Sequence, residues 1–524
     1  MQLGKLTKIL NKKSPINQKN YFYFLILIII SFSFTYYSGY RGVYPIDSFI
    51  IFDSGYKVLN NIHPFKDYWT ITGPFLDYLQ SFFFLIDVNW FYYVLHAAFI
   101  NCLLVLIFFY FLIKLDFNSN YSFLYAVSLA VLSYPSIGTP FVDHHAVYLS
   151  IIAVCYFILA LKEKNKNFWI LSSFFLVLSF FSKQIPSAYL AIFLIFVLFA
   201  KFFINKKKDF FYFFYGATFT VIFFLIFFLV NKIQIKDFFT QYIFYPMTIG
   251  DNRLNSLRFN FSNVFLQFKF IYLALSPLIF YSFLEIKKKK GYRNYESLFI
   301  AFITVITTLI LIYCQLITKN QILIFFLIPW CLGISHYLLK DFKKINILSG
   351  VFIMLLIFTT IKYHLRFNEE KKFMELENVN LEKAVNAEIL DPSLKGLKWI
   401  HKKYAKNPEY ELKKLIEIKK IILKDQKKKI IVSDYQLLSF LTKNRNFAPN
   451  KWFDPLSIPN ISNNYFQEYR EFFISKLIEQ KISNIYVIDE SKLNILLPIF
   501  ENPNCFSKSR LNEISVKLEI SKCL

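Results

Sequence analysis

The chain has 524 residues, 56% of them hydrophobic and 20% aromatic, with a mean hydropathy of +0.40. Too few polar side chains remain to cover several water-soluble cores, and 12 Gly, 17 Pro and 6 Cys exclude collagen-like, disordered and disulfide-knotted chains, so the composition points to a bilayer. A net charge of +25, from 60 Lys and Arg against 35 Asp and Glu, then fits basic loops on one side of a membrane and gives nucleic-acid binding no support.

Crossing roughly 30 Å of hydrocarbon takes about 20 helical residues. Apolar runs of that kind recur from Tyr21 to Ile361 and then stop. The first, 21 to 38, lacks a small-residue cleavage pattern and reads as a signal anchor. Ten more are expected near 90 to 113, 121 to 137, 146 to 161, 168 to 181, 186 to 203, 210 to 230, 265 to 284, 298 to 313, 322 to 339 and 345 to 361, which makes eleven. The basic loops Lys5 to Lys19, Lys162 to Lys166, Lys206 to Lys208, Lys287 to Arg293 and Lys340 to Lys344 then all fall on one side. By the positive-inside rule residues 1–20 are expected to be cytoplasmic, 21–361 to form the membrane module and 362–524 to lie outside. That parity leaves out the apolar stretch Phe75 to Ile86, about a dozen residues, as a re-entrant or interfacial helix.

The tail is expected to open with a charged helix around Asn368 to Val385 and to continue as a small α/β unit. Strands are expected at Lys428 to Ser433 and Ile485 to Ile488, and helices at Glu411 to Leu423 and Tyr465 to Gln480. Cys505 and Cys523 lie outside the spans, where an oxidising compartment would permit a disulfide or leave two free thiols; Cys102, Cys155, Cys314 and Cys331 read as small hydrophobes inside spans.

Two loops on the expected outer face concentrate chemistry. Residues 39–74 carry Arg41, Tyr44, Asp47, Asp53, Tyr56, Lys57, His63, Asp67, Tyr68 and Trp69; residues 138–145 carry Asp143, His144 and His145. Asp143 also suits a plain helix N-cap, and His63 and Trp69 suit interfacial anchoring. Asp47, Asp143, His144 and His145 form a candidate set for a divalent metal, although adjacent His side chains leave a helix on different faces; no other cofactor is implied.

The order of motifs resembles the GT-C class of membrane glycosyltransferases that use polyprenyl-phosphate sugars. The likeness is to the branch of protein O-mannosyltransferases and lipid A aminoarabinose transferases. It rests on Tyr44-Pro45-Ile46-Asp47, Asp53-Ser54-Gly55-Tyr56, His63-Pro64-Phe65-Lys66-Asp67-Tyr68-Trp69 and Thr72-Gly73-Pro74. Phe141-Val142-Asp143 supplies a second acid in the next outer loop, and Phe181-Ser182-Lys183-Gln184 resembles a Lys-Gln pair at a span's outer end. Motif support covers roughly 20 to 200. The aminoarabinose branch has a Lys-Pro-Pro element where this chain has Thr72-Gly73-Pro74, so no role of that lysine carries over.

The resemblance implies a multispan α-helical GT-C fold with a small outer α/β domain. It also implies a hexosyl- or pentosyltransferase of the bacterial inner membrane, with a polyprenyl-phosphate sugar as donor and an envelope lipid, glycan or protein as acceptor. Asp47 is the expected base or acceptor-orienting group, with Asp143 as second catalytic acid. Lys183, Arg253, Arg258 and Lys319 are expected on the donor phosphate, and Tyr44, Asp53, Tyr56, His63, Tyr68 and Gln184 on substrate. A transporter or flippase of lipid-linked sugars is the alternative; such proteins place ionisable groups near the midplane of two repeated halves, a pattern not visible here.

Overall fold

The structure, a computed structural model, describes residues 18–163, 165–205, 210–288, 294–319, 323–342, 345–500 and 506–520. Much of the basic-loop pattern, including Lys5 to Lys13, Lys206 to Lys208, Lys289 to Arg293 and Lys343 to Lys344, lies outside the described residues, as do Cys505 and Cys523 with their expected disulfide.

A helix forms at each expected span: α1 (Gln18–Gly39), α4 (Trp90–Lys114), α5 (Ser119–Leu132), α6 (Val142–Glu163), α7 (Lys166–Phe180), α8 (Ser187–Asn205), α9 (Phe211–Val230), α10 (Lys269–Lys287), α11 (Tyr295–Ile317), α12 (Leu327–Leu338) and α13 (Ile345–Tyr363), with α2 (Ile50–Leu59) and α3 (Phe75–Phe84) in the loop after α1. Seven are long and apolar enough to cross a membrane: α1, α4, α6, α9, α10, α11 and the helix that α13 opens. The count of eleven spans is therefore met by helices but not by crossing length. The apolar helices α7 and α12 are shorter, at 15 and 12 residues, and α5, at 14 residues, is only about 21 Å long.

Asparagine side chains fix several starts by accepting from the orphan amides of the first turn: Asn89 before α4, Asn118 before α5, Asn165 before α7 and Asn294 before α11. Helices apolar all round divide by burial. The most apolar stretches of α4 and α6 are 78 and 89% buried and form the centre, whereas those of α1, α9 and α10 are 28% buried and show side chains such as Phe22, Phe223 and Phe280 outward. α3, ten residues long, spans about 15 Å and cannot cross a bilayer; Phe82, Leu85 and Ile86 at its end are exposed.

The C-terminal region packs α14 (Pro408–Lys424) and α15 (Phe466–Gln480) on a four-stranded sheet of order β3-β4-β6-β5, formed by β3 (Lys429–Val432), β4 (Asn484–Ile488), β5 (Phe506–Asn512) and β6 (Ser515–Ile520). β3 and β4 run parallel with Ile430 opposite Ile485, and the other pairings are antiparallel. A two-residue pair, β1 (Val385–Asn386) with β2 (Lys398–Trp399), precedes it. The charged helix expected over 368–385 does not form. Lys371, Glu375 and Asn378 adopt left-handed backbone, and the buried Lys371 Nζ donates to Ser38 O at 2.6 Å, so the chain turns to cap the end of α1.

This region shares its core with the loop after α1. Val43, Phe49, Phe52 and Trp90 lie in one buried cluster with Trp399, Leu415 and Tyr435, and Phe49 stacks on Trp399 at 5.3 Å. A second cluster joins Trp69 and Tyr245 to β3, β4 and α15. Continuous apolar packing of this kind holds the two parts as one body.

Candidate functional site

Asp47 stands on a short helical turn, Pro45–Ser48, that Pro45 initiates with its preset φ. Ser48 O accepts from Tyr93 OH on α4 at 2.9 Å, and Ser48 Oγ accepts from Tyr44 N at 2.9 Å. The turn is thereby bolted to α4, yet the Asp47 carboxylate accepts no hydrogen bond from a described residue. It is half-buried.

Asp143 comes from the opposite wall. α6 begins at Val142, earlier than the expected span, so Asp143, His144 and His145 are in its first turn rather than in a loop, where the amide dipoles favour the Asp143 carboxylate. The loop before it is fixed by a close backbone approach. Gly138, at φ +78°, lies so near α1 that an added Cβ would be 2.5 Å from Gly39 N. Lys183, just past α7, places Nζ 2.5 Å from Asp143 Oδ1; the carboxylate is buried and the lysine side chain is partly exposed.

Two sequence motifs more than a hundred residues apart meet here. Gly73 N donates to Ser182 O at 3.0 Å, Phe75 N to Phe181 O at 3.1 Å, and Gln184 Nε2 to Ile71 O at 2.9 Å. A Cβ on Gly73 would sit 1.8 Å from Phe181 O, so only glycine lets the strands of the two loops touch beside Lys183.

The C-terminal region brings further acids close enough to act on Asp47, Asp434 from the carboxyl end of β3 and Asp454 from the segment after it. Asp434 follows β3 and pairs with Lys492, which follows β4, at 2.8 Å; Lys492 Nζ also donates to Phe453 O at 2.8 Å. Asp454 caps the next turn through Leu456 N at 2.8 Å. Burial, then the charges of Asp143 and Asp454, raises Asp47 from 3.8 to about 7, with Lys183 opposing and Asp434 adding to the rise. Asp434 is raised too, by burial, against the pull of Lys492. Tyr44, half-buried at the same rim, is pushed up to about 12 by burial and by Glu375 and Asp47.

The remaining expected site residues fall into two groups. Asp53, Tyr56 and Tyr68 tie the loop to the C-terminal region, whereas His63 bonds within the loop and Gln184 bonds to the backbone of Ile71 and Tyr242. Asp53 pairs with Lys57 at 2.8 Å, and Lys57 Nζ donates to Asn450 O at 3.2 Å. Tyr68 OH donates to Asp77 Oδ2 at 2.8 Å, and Asp77 Oδ1 accepts from Ser54 Oγ at 2.7 Å and from Lys451 Nζ at 2.6 Å. Asp77 and Lys451 are 0 and 1% exposed at the side chain. Tyr56 meets Phe440 and Phe447 edge-on, and His63 Nδ1 lies 3.1 Å from Tyr78 OH. Arg253 is on the helix Tyr245–Asn255, Arg258 beyond it and Lys319 at the end of α11. Among the described residues no hydrogen bond or ion pair joins these three to the cleft.

His144 and His145 do not converge on Asp47. His145 Nε2 is 2.8 Å from His96 Nε2, its Nδ1 meets Tyr134 OH, and His96 Nδ1 is 2.9 Å from Gln80 Oε1; His144 Nε2 is 3.2 Å from Ser136 Oγ. Among the described residues no three His, Cys, Asp or Glu side chains stand at metal-binding spacing. An apolar cavity of about 360 Å³ opens between α7, α8, α9 and the segment 235–243, and its wall includes Phe181 and Ser187, which flank Lys183 in sequence.

Asp77, Asp434 and Lys492 carry no sequence motif, while Lys451 falls in the run 450–455 expected to cover the site or contribute to acceptor binding. Asp77 lies inside an otherwise apolar stretch, and Asp434 and Lys492 follow the two expected strands with no motif of their own. The one available signal was the run Asn450-Lys451-Trp452-Phe453-Asp454-Pro455, dense in turn-forming and chemical side chains.

No known family profile and no curated protein matches the chain. Two solved structures are similar along most of its length. One is ArnT from Cupriavidus metallidurans bound to undecaprenyl phosphate, at 9% identity and a TM-score of 0.49, covering 95% of this chain and 97% of that one. The other is the archaeal oligosaccharyltransferase AglB from Archaeoglobus fulgidus in complex with an inhibitory peptide and a dolichol-phosphate, at 11% identity and a TM-score of 0.43, covering 90% and 70%. At these identities the function has to be argued from the side chains of the cleft.

Proposed function

We propose that the chain is a multi-pass membrane glycosyltransferase that moves a sugar from a polyprenyl-phosphate donor to an acceptor of the cell envelope, with inversion at the anomeric carbon. The observation that carries the reading is Asp47: an unpartnered carboxylate, raised to about 7, facing the Asp143–Lys183 pair. A structural acid is paired; an acid kept free and poised near neutrality suits general-base work.

The reaction is one displacement. The acceptor oxygen attacks the anomeric carbon while Asp47 takes its proton, and the bond from that carbon to the phosphate oxygen breaks, releasing polyprenyl phosphate. Lys183, held by Asp143, offers positive charge to the departing phosphate. The apolar cavity beside Phe181 and Ser187 suits the isoprenoid chain of the donor. Asp434 and Asp454 line the side from which an acceptor would enter, so residues 362–524 act as a covering and acceptor-binding domain. In this reading residues 1–20 are cytoplasmic, residues 21–361 are the catalytic membrane module of a bacterial inner membrane, and the cleft opens outward.

The test is transfer in lipid from a panel of radiolabelled polyprenyl-phosphate sugars to envelope acceptors, with wild type, Asp47→Asn and Asp143→Asn. Transfer or donor hydrolysis abolished by Asp47→Asn in a folded protein is expected. Absence of transfer, with translocation of a lipid-linked sugar that Asp47→Asn leaves unchanged, would make the protein a flippase.

A further inference from the structure

The C-terminal region carries a basic and apolar face whose position in the fold says what it meets. Residues 385–399 lie at the rim of the helical module, since Lys398 N donates to Tyr40 O at 2.8 Å, Gly42 N to Lys398 O at 2.9 Å, and the turn Pro392–Leu394 touches α4 near its start. That rim is the edge of the apolar belt. Phe82, Leu85, Ile86 and Phe91 around the start of α4 are all exposed, as lipid-facing side chains are at a bilayer boundary. On the same rim Ile389 is 58% exposed, and Lys395 and Lys398 are exposed beside it.

α14 extends this face. Lys419 Nζ donates to Leu390 O at 2.9 Å and pairs with Asp391 at 2.7 Å, which lays the last turns of the helix over residues 385–399. Leu423, one turn on from Lys419 along the same flank, is 46% exposed, and Lys420 and Lys424 beside it are exposed with no hydrogen bond or ion pair from a described residue. Exposed aliphatic side chains set among unpaired lysines at a bilayer edge have the chemistry of an interfacial anchor: the first enter the headgroup layer and the second meet its phosphates.

We infer that Ile389, Lys395, Lys398, Lys420, Leu423 and Lys424 form a membrane-contact face that rests the C-terminal region on anionic phospholipid headgroups of the bilayer its own helices occupy. Asp391 is neutralised by Lys419, which leaves Glu388 as the exposed acid of residues 385–399. The contact keeps the side of the cleft that carries Asp434 and Asp454 at a set height above the membrane, and it stands whether or not the proposed reaction does.

The experiment compares amide hydrogen exchange of the full chain in nanodiscs of phosphatidylcholine alone and of phosphatidylcholine mixed with phosphatidylglycerol. Exchange over 385–399 and 416–424 is expected to slow by about fivefold or more in the anionic discs, the effect of roughly one lysine drawn to such a surface, while β4 is unchanged. The combined variant Lys395→Glu, Lys398→Glu, Lys420→Glu, Lys424→Glu should erase the difference, and so should high salt acting on the unaltered protein. Equal exchange in the two discs overturns the inference. Protection by a soluble anionic polysaccharide in phosphatidylcholine discs, without a response to phosphatidylglycerol, overturns it in favour of a glycan partner.

Discussion

Replacing Asp47 by Asn should stabilise the folded protein at neutral and alkaline pH while abolishing transfer. Its carboxyl is raised from 3.8 to about 7 by burial and by neighbouring acids, and each unit is worth about 1.36 kcal/mol. The ionised carboxylate therefore costs the fold about 4 kcal/mol once the pH is above 7. The sign follows from proton uptake: between about 4 and 7 the folded state holds a proton that the unfolded chain has lost, so wild-type stability falls as pH rises through this window and levels off above it. Asn carries no charge, so the difference between variant and wild type should be near zero at pH 4 and grow to its full size above pH 7. Thermal unfolding in detergent, followed by a thiol-reactive fluorophore that reads exposure of the buried Cys155, Cys314 and Cys331, measures it at a series of pH values. A variant equal to wild type at every pH would show that Asp47 is solvated like a surface acid and would remove the physical case for it as the base. A gain in stability without loss of transfer would separate the strained carboxylate from the chemistry.

Other consequences are as direct. The pH–rate profile of kcat/KM should rise through about 7 as Asp47 ionises; a flat profile between pH 5 and 8 would contradict its role. Lys183→Gln strands the buried Asp143 carboxylate and should destabilise by about 3–5 kcal/mol, with transfer down about a hundredfold or more, whereas the double variant Lys183→Gln, Asp143→Asn should regain much of the stability and none of the activity. Lys451→Met leaves Asp77, 0% exposed, without its cation, and a loss of about 3–5 kcal/mol together with faster proteolysis after α13 is expected; unchanged protease resistance would mean the apolar cores alone hold the two parts together. Gly73→Ala puts a methyl group 1.8 Å from Phe181 O, and the loop must shift by more than an isolated cavity change would demand. A drop of about 1–3 kcal/mol with a fall in kcat should appear in the same unfolding and transfer assays.

How much was legible follows from the range over which each feature is encoded. Apolar runs are local, so eleven helices appear where the hydrophobic pattern places them, and strands β3 and β4 and helices α14 and α15 sit on their expected segments. The charged stretch 368–385 has a helical composition too. There the bond from Lys371 to the end of α1 outweighs local propensity, and the chain takes left-handed turns instead. Crossing length was less legible, because helices such as α7 are bounded by caps and turns rather than by the end of the apolar run.

The motifs around Asp47, Asp143 and Lys183 could be named from sequence because each is a short run of unusual side chains at the end of a span. Their division of labour could not. Asp53 and Tyr68 have the same chemistry as Asp47 and Tyr44, yet they are buried with Lys57, Asp77 and Lys451 while Asp47 and Tyr44 stay partly exposed. Composition and periodicity by themselves marked the apolar helices and the two loops proposed to carry the chemistry, since transfer free energy acts on each segment alone. Only the tertiary structure decided which acid stays free, because Asp47 owes its raised pKa to burial, to Asp143 brought in by α6, and to Asp434 and Asp454, which approach it only once the C-terminal region has packed onto the first loop.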